Sequence, residues 1–65
     1  MIKVNGQEEV LTENLTIQDY ISRRGYRTNR IAVERNGKIV PKREYADTVL
    51  EDGDQIEIVS FVGGG

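Results

Sequence analysis

The sequence predicts an α+β fold in which one main helix crosses one face of a mixed sheet of four to five strands. Two observations predict this arrangement. The dipeptide Asn-Gly occurs at residues 5–6 and 36–37, each time between stretches of alternating apolar and polar residues, a pattern typical of β-hairpins. Between the hairpins, the apolar residues of segment 16–25 recur at helical spacing. A chain of 65 residues corresponds to one domain.

The first hairpin is predicted at the N-terminal end. Residues 2–4, IKV, alternate apolar and charged side chains as a half-buried strand does. Asn5-Gly6 suits a type I′ turn, because that turn needs positive φ at both central positions. The second strand is then expected over residues 7–12, where the alternation is weaker.

A helix is predicted from residue 17 to about residue 24. Thr16 is a good N-cap, and Asp19 three residues later resembles a capping box. Ile17, Tyr20 and Ile21 fall on one face at i, i+3 and i+4. Gly25 is a natural stop, since it adopts positive φ without strain. A helix of two to three turns is stable only when it packs on a sheet.

The second hairpin and the last strand follow the helix. Strands are predicted over residues 31–35 and 38–40, joined by Asn36-Gly37 and ended by Pro41, which cannot donate to a ladder. The polar segment after it is expected to form a 3₁₀ or short helical turn near residues 43–46. Its expected anchors to the core are Tyr45, Val49 and Leu50. A turn is predicted at residues 51–54, before a long last strand over residues 55–62.

The predicted order is β-β-α-β-β-β, with the last strand parallel to the first in the middle of the sheet. This is the β-grasp arrangement of ubiquitin-like proteins. The domain is expected to span residues 1–62 and to be followed by a flexible glycine tail at residues 63–65. Glycine has no side chain to pack, and it loses more backbone conformational entropy on ordering than any other residue. The predicted core comprises Ile2, Val4, Ile17, Ile21, Val33, Ile56 and Ile58.

Alternation along the last strand predicts a docking surface. Ile56 and Ile58 share one face, and Glu57 shares the other with Val59 and Phe61. Because an unpaired glutamate is not buried, the isoleucine face should meet the helix. Val59 and Phe61 are then exposed beside the tail, where they are expected to dock a partner. The alternative is that Phe61 folds over a sheet edge or under segment 43–50.

Composition excludes several functions. The chain has no cysteine and no histidine, so the commonest nucleophile, general base and metal ligand are missing. We therefore expect no catalytic residue, no metal site and no enzymatic activity of the chain alone. A net charge of −2 argues against a nucleic-acid partner. No stretch approaches the roughly 20 apolar residues of a membrane span, and no signal peptide is visible, so a cytoplasmic protein is expected.

Two charged segments have both a functional and a structural interpretation. Arg23, Arg24, Arg27 and Arg30 lie within eight residues and could bind an acidic partner or RNA, although a solvated helix end is the favoured interpretation. Segment 44–57 carries six acids and no base. It could steer a basic partner or be a solvated turn. The DGD turn within it lacks the remaining ligands of a calcium loop.

Two stretches carry a family resemblance. IAVERNGKIVPKREY, from residue 31, and LEDGDQIEIVSFVGGG, from residue 50, resemble the ThiS family of thiamine-biosynthesis sulfur carriers. The likeness covers nearly the whole chain. It rests on the order, spacing and ending of the motifs together, since each motif alone is weak. Tyr45 stands where many relatives carry tryptophan.

The resemblance implies a carrier that acts as co-substrate of partner enzymes. An adenylating, E1-like activating enzyme would use ATP to adenylate the carboxylate of Gly65, at the end of a tail that includes Gly63 and Gly64. A sulfur donor such as a cysteine desulfurase would convert the adenylate to a thiocarboxylate. Thiazole synthase would then take the sulfur. No bound cofactor is implied, since ATP is used by the activating partner.

Other functions remain open from the sequence. The same fold and a Gly-Gly ending also occur in the small subunit of molybdopterin synthase and in ubiquitin-like modifiers. A different class is a β-grasp regulatory or RNA-associated domain whose tail has no chemistry. A carrier would be inactivated by a blocked C-terminus, whereas a plain binding domain would be unaffected.

Overall fold

The computed structural model describes residues 1–61, which form one mixed sheet and one α-helix. The strand order is β2-β1-β5-β3-β4. The strands are β1 (Ile2–Val4), β2 (Gln7–Glu9), β3 (Ile31–Arg35), β4 (Lys38–Val40) and β5 (Gln55–Ser60). The helix is α1 (Ile17–Arg23), and two 3₁₀ turns span Thr28–Arg30 and Lys42–Glu44.

The last strand occupies the centre of the sheet, as predicted. β5 runs parallel to β1, with Val4 opposite Ile56, and antiparallel to β3, with Val33 opposite Ile58. β5 therefore lies between the two hairpins, although it is distant from the first hairpin in sequence. This mixed topology with one crossing helix is the β-grasp arrangement.

Both Asn-Gly dipeptides form the predicted turns. Asn5 and Gly6 have φ values of 51° and 83°, and Asn36 and Gly37 have values of 53° and 84°. Positive φ at both central positions defines the type I′ geometry, whose twist matches that of the flanking strands. Asparagine tolerates this region better than other side chains, which is why it precedes glycine in both turns.

The helix begins and ends as predicted. The Asp19 N–H donates to Oγ1 of Thr16 at 3.0 Å, and the Thr16 N–H donates to Oδ2 of Asp19 at 3.1 Å, which completes the capping box. At the other end, Gly25 has φ 78°. The Tyr26 N–H reaches the carbonyl of Ile21 at 3.0 Å, as in a Schellman motif.

The core lies between α1 and the inner face of the sheet, by which we mean the face that α1 covers. All seven residues predicted for the core are buried. Four further side chains complete the cluster: Tyr20, Ile31, Tyr45 and Leu50. Tyr45 is only 1% exposed, so the segment after β4 closes one side of the core.

The prediction that Val49 anchors its segment to the core is wrong. Val49 is 45% exposed, whereas its neighbour Leu50 is 4% exposed. The Leu50 N–H donates to the carbonyl of Leu15 at 2.8 Å, and Val49 forms an isolated bridge with Thr16. Successive residues of extended backbone point in opposite directions, so only one of the pair can face the core.

Several boundaries differ from the sequence-based prediction. β2 ends at Glu9, because Glu9 already pairs with Ile2 at the start of β1 and later residues have little strand left to pair with. The 3₁₀ turn at Lys42–Glu44 begins one residue earlier than expected, directly after Pro41, and the turn at Thr28–Arg30 was not predicted. β5 ends at Ser60, opposite the first residue of β3.

Candidate functional site

The predicted docking residues lie on the outer face of the sheet, opposite the helix. Val59 is 55% exposed and Phe61 is 52% exposed. Their neighbours Ile56 and Ile58 are buried on the inner face, so the predicted register of β5 is correct. Phe61 therefore does not fold into the core, and the exposure that a docking role requires is present.

The backbone holds Phe61 in place at the end of β5. Its N–H donates to the carbonyl of Arg30 at 2.7 Å, which continues the ladder between β3 and β5 one residue past the strand. Four residues of the chain follow. The tail residues Gly63, Gly64 and Gly65, which carry the predicted chemistry, lie outside the described residues, as does Val62. The docking residues are thus at the base of the tail.

Two further apolar side chains extend this surface. Ala32 stands opposite Val59 in the β3–β5 ladder, and Ile39 on the edge strand β4 is 68% exposed. We call Ala32, Ile39, Val59 and Phe61 the outer patch. Ile39 was missed at the sequence level, although a two-residue turn at Asn36-Gly37 already dictates that Ile39 faces Glu34.

A pair of acids borders the outer patch. Glu34 on β3 stands directly opposite Glu57 on β5, and Glu34 is also opposite Ile39 on β4. Val33 and Ile58, the next residues of the two strands, are buried on the inner face. Alternation therefore places both carboxylates on the outer face with the apolar side chains.

Most of the remaining acids of segment 44–57 serve the fold. Asp54 is 5% exposed and accepts hydrogen bonds from Nε of Arg35 at 3.0 Å, from the Asn36 amide at 3.1 Å and from the Glu51 N–H at 2.8 Å. Glu51 also accepts from Arg35 at 2.9 Å, and Asp52 pairs with the N-terminal amine.

The buried carboxylate of Asp54 is held in its ionised form. Burial alone would raise its pKa, but the N–H of Glu51, the amide of Asn36 and the guanidinium of Arg35 together hold that pKa below its usual range. The same pairing raises the pKa of Arg35. The cluster ties the turn before β5 to the β3–β4 hairpin. Asp54, Glu51 and Asp52 thus make contacts within the fold, and the steering role of the acidic segment stays a prediction.

Two of the four arginines between residues 23 and 30 form ion pairs within the fold. Arg23 pairs with Glu13 and Arg24 pairs with Glu9. The Arg24 guanidinium also lies 5.2 Å from the centre of the Tyr20 ring. These contacts favour the structural interpretation for the two helix residues. Arg27 and Arg30 are exposed, and Arg30 lies beside the base of the tail.

Tyr20 joins the helix to the edge of the first hairpin. Its hydroxyl donates to the Glu9 carboxylate, with both oxygens at 2.9 Å. Burial of the ring and the neighbouring carboxylate raise the pKa of Tyr20 to about 12. The hydroxyl is thus protonated at neutral pH and donates to Glu9.

Among residues 1–61, no three Asp or Glu side chains are grouped so that they could hold a metal ion. In the same part of the chain, no helix is long and apolar enough to cross a membrane. What the geometry offers is an apolar surface with two acids at the base of a tail.

Comparison with known proteins shows which family the chain resembles. The model of the ThiS family matches residues 2–65. The chain is 39% identical over 66 residues to the sulfur carrier protein ThiS of Bacillus subtilis, and the match covers the whole of both chains. The crystal structure of the thiamine biosynthesis protein ThiS from Geobacter metallireducens superposes with a TM-score of 0.81. It is 28% identical and the match covers 98% of this chain and 97% of that one.

A second kind of relative is much longer. The chain is 42% identical over 62 residues to a thiazole synthase of Paramagnetospirillum magneticum. It is 36% identical over 64 residues to a thiazole synthase of Magnetococcus marinus. It spans only about a fifth of the length of these two proteins, 19% and 20%. In both, a segment similar to this chain is part of a polypeptide named as thiazole synthase.

Proposed function

The chain belongs to the ThiS family, and on this premise we propose that it is a sulfur carrier for thiamine biosynthesis. The observation that supports the proposal most strongly is the match of the family model to residues 2–65, which includes the glycine tail. The end-to-end similarity to a protein named as a sulfur carrier supports it further. A thiamine role is favoured over a molybdopterin synthase subunit, because the similar solved structure is named a thiamine biosynthesis protein and two sequence relatives are named thiazole synthase.

The reactive group in this proposal is the carboxylate of Gly65. A terminal carboxyl has a pKa of about 3.3–3.7, so at neutral pH it is an anion that can attack the α-phosphorus of ATP. Pyrophosphate leaves and an acyl adenylate forms. The terminal sulfur of the donor's persulfide then attacks the acyl carbon and AMP leaves, and a thiol reductant supplies the two electrons that cleave the resulting S–S bond. The product is a glycyl thiocarboxylate.

In this proposal the chain positions its C-terminal carboxylate, and the partner enzymes supply the catalysis. Glycines at residues 63–65 let the tail enter a narrow partner site with φ values that other residues avoid. Ordering the backbone costs about 1–2 kcal/mol per residue, and a docked body offsets that loss. The outer patch is the surface that we assign to docking, because it is exposed, apolar and at the base of the tail.

The partners follow from the same proposal. Thiazole synthase receives the sulfur, in keeping with the two relatives in which a similar segment is joined to that enzyme in one chain. An E1-like adenylating enzyme activates Gly65 with ATP, and a cysteine desulfurase or related donor supplies the sulfur. The cytoplasmic location expected from the sequence stays a prediction.

Changing the length of the tail tests the proposal. Deleting Gly65 moves the carboxylate back by up to about 3.3–3.6 Å along an extended chain. A displacement of about 1 Å can reduce a rate that depends on positioning by about a hundredfold. We therefore expect loss of ATP-dependent adenylate and thiocarboxylate formation by at least that factor. Adding one alanine after Gly65 should have the same effect.

Intact mass spectrometry with the adenylating enzyme, ATP and the sulfur donor measures this outcome. The thiocarboxylate form is heavier by about 16 Da, because sulfur replaces oxygen in a covalently modified terminus. Thermal unfolding serves as the control, since a change confined to the tail should leave the melting temperature unchanged. If both variants were modified at the wild-type rate, Gly65 would not be the reactive group.

A further inference from the structure

The two Asn-Gly turns contain a chemically reactive dipeptide. In Asn-Gly, the backbone nitrogen of the glycine can attack the side-chain carbonyl carbon of the asparagine, because glycine has no side chain to shield that nitrogen. Asn5 and Asn36 are both exposed. A Cβ atom at Gly6 or Gly37 would meet no atom beyond the neighbouring residues within 4 Å, so solvent reaches both turns. Dipeptide and exposure therefore do not distinguish the two turns.

Hydrogen bonds hold both asparagine side chains against β5 and the residue before it. Oδ1 of Asn5 accepts from the Ile58 N–H at 2.7 Å, and its Nδ2 donates to the Ile58 carbonyl at 3.3 Å. Oδ1 of Asn36 accepts from the Gln55 N–H at 2.8 Å, and its Nδ2 donates to the Asp54 carboxylate at 3.1 Å. Each side chain has to leave these bonds before its carbonyl carbon can turn toward the next backbone nitrogen. The strength of the bonds therefore affects how often each asparagine is free to react.

The acceptors of the two Nδ2 atoms differ in charge. Asn5 donates to a neutral carbonyl, whereas Asn36 donates to the carboxylate of Asp54, which is 5% exposed and ionised. A hydrogen bond to a charged group is stronger than one between neutral groups. Attack on the carbonyl carbon also develops negative charge on Oδ1, and the buried carboxylate beside Asn36 opposes that charge. Both effects slow the reaction at Asn36.

The two hairpins also differ in how firmly the sheet holds them. β1 is aligned with β5 over residues 3–4, in a parallel ladder. β3 is aligned with β5 over the whole of its length, residues 31–35, in an antiparallel ladder. Parallel pairing is slightly less stable per residue, and segments with fewer buried contacts open locally at lower free energy. The turn at Asn5 should therefore open more often than the turn at Asn36.

We propose that Asn5 is a site of spontaneous covalent modification, and that Asn36, in the same dipeptide, is protected by Asp54. The Gly6 nitrogen forms a bond to the side-chain carbonyl carbon of Asn5. The proton of that nitrogen ends on the side-chain nitrogen, which leaves as ammonia. Water then opens the five-membered imide at either of its carbonyl carbons and leaves aspartate or isoaspartate. The net reaction consumes water and releases ammonia, so it needs no oxidant, reductant or enzyme.

The modification weakens the hold on β5 next to the outer patch. Asn5 binds Ile58 at its N–H and its carbonyl, and Ile58 precedes Val59. In the aspartate product an oxygen replaces the Nδ2 donor and faces the Ile58 carbonyl, and isoaspartate also adds a carbon atom to the main chain. The amide hydrogen of Ile58 should therefore exchange about fivefold faster or more in the modified chain. The amide of Leu50, which is bonded to the Leu15 carbonyl, is the control, and unchanged exchange at Ile58 would show that Asn5 does not hold β5.

Ageing the folded chain tests which asparagine reacts. The full chain is kept in mildly alkaline buffer, and samples taken over time are cleaved after glutamate. Cleavage after Glu8 and Glu34 places Asn5 and Asn36 in separate peptides. Mass spectrometry measures the product, which is heavier by about 1 Da because a hydroxyl replaces an amino group in the covalently modified side chain. Conversion at Asn5 should exceed conversion at Asn36 by about fivefold or more.

The unfolded chain is the matched control. In concentrated guanidinium chloride neither asparagine keeps its partner on β5, so the two sites should convert at similar rates. A preference for Asn5 that persisted in the unfolded chain would assign the difference to the neighbouring residues in sequence and overturn the proposal. Equal conversion of the two sites in the folded chain, or no conversion at Asn5, would overturn it as well.

Asp54→Asn separates the effect of the carboxylate from overall stability. The variant removes the charge beside Asn36, so conversion at Asn36 in the folded chain should rise about fivefold or more relative to conversion at Asn5. An equal rise at both sites would mean that the variant acts only by unfolding the chain, and no rise at Asn36 would mean that Asp54 does not protect it. Either result would overturn the proposal. No partner enzyme enters these measurements, so their outcome is independent of the sulfur-carrier function.

Discussion

The two faces of the sheet follow different physical rules although the same strands form both. The inner face is apolar and covered, with Val33 and Ile58 at 0% and 7% exposure. The outer face combines exposed Val59 with the like-charged pair of Glu34 and Glu57. The inner face buries its apolar side chains and so stabilises the fold. The outer face, which leads to the tail, instead leaves apolar side chains exposed and places two like charges opposite each other. The difference teaches that residues that pack the core alternate along one strand with residues that are exposed, and the docking that we propose falls on the exposed ones.

The difference between the two faces can be tested most directly at two neighbouring residues of β5. Ile58→Ala should lower the free energy of unfolding by about 2–5 kcal/mol, because it leaves a cavity in the core. Val59→Ala should change it by about 0.5 kcal/mol or less, since the side chain is already half exposed. Urea unfolding measures both. Similar losses in the two variants would mean that the faces are not distinct.

The polar rim of the inner face offers a second test. Asp54→Asn removes the charge that Arg35 and two N–H donors bind, and we expect a loss of about 2 kcal/mol at neutral pH. The folded pKa of Asp54 is lowered. The stability that it contributes is therefore present above the unfolded pKa of about 3.9 and is lost as pH falls through the lower folded value.

The pH dependence supplies the control for this variant. The difference in free energy of unfolding between wild type and Asp54→Asn should shrink as the pH is lowered from 7 to below 4, because the wild-type carboxylate then takes up a proton. Urea unfolding at several pH values measures it. A difference that stayed constant with pH would show that the charge of Asp54 contributes nothing.

On the outer face, Phe61→Ala should reduce binding more than it reduces stability. Half of the ring is already exposed, so the melting temperature should change by only a few degrees. Affinity for the adenylating enzyme should fall about tenfold, as for an aromatic anchor of an interface. Calorimetric binding and thermal unfolding test this together. A large drop in melting temperature with unchanged affinity would make Phe61 a structural residue.

The sequence predicted the inner face better than the outer one. Core positions repeat at period 2 along strands and at helical spacing along α1, so Ile2, Ile21 and Ile56 could be assigned from pattern alone. Both Asn-Gly turns carry their own backbone signal. The order of elements then allowed the parallel pairing of β1 and β5 to be predicted.

What the sequence could not supply depends on contacts between distant segments. Val49 and Leu50 are both apolar, and the pairing of residues 48–50 with residues 15–17 decides which one is buried. The pairing of Glu34 with Glu57 needs the register between β3 and β5, which no local motif encodes. Sequence alone placed Glu57, Val59 and Phe61 on one face, but it did not locate Glu34 beside them.

A small effect on stability is also expected for Tyr20, whose hydroxyl lies at the edge of the inner face. Tyr20→Phe keeps the buried ring and removes the hydroxyl that donates to Glu9 at 2.9 Å. Glu9 retains its pairing with Arg24, so the free energy of unfolding should fall by only about 0.5–1.5 kcal/mol.

This contribution also has a defined pH window. The folded pKa of Tyr20 is raised to about 12, above the unfolded value of about 10. A raised folded pKa means that the stability from the protonated hydroxyl is fully present below pH 10 and is lost as pH rises toward 12. The difference in free energy of unfolding between wild type and Tyr20→Phe should therefore be constant from pH 7 to 9 and narrow above pH 10. A constant difference up to pH 11.5 would show that the hydroxyl of Tyr20 is not held by Glu9, and that the edge of the inner face is as open as the outer patch.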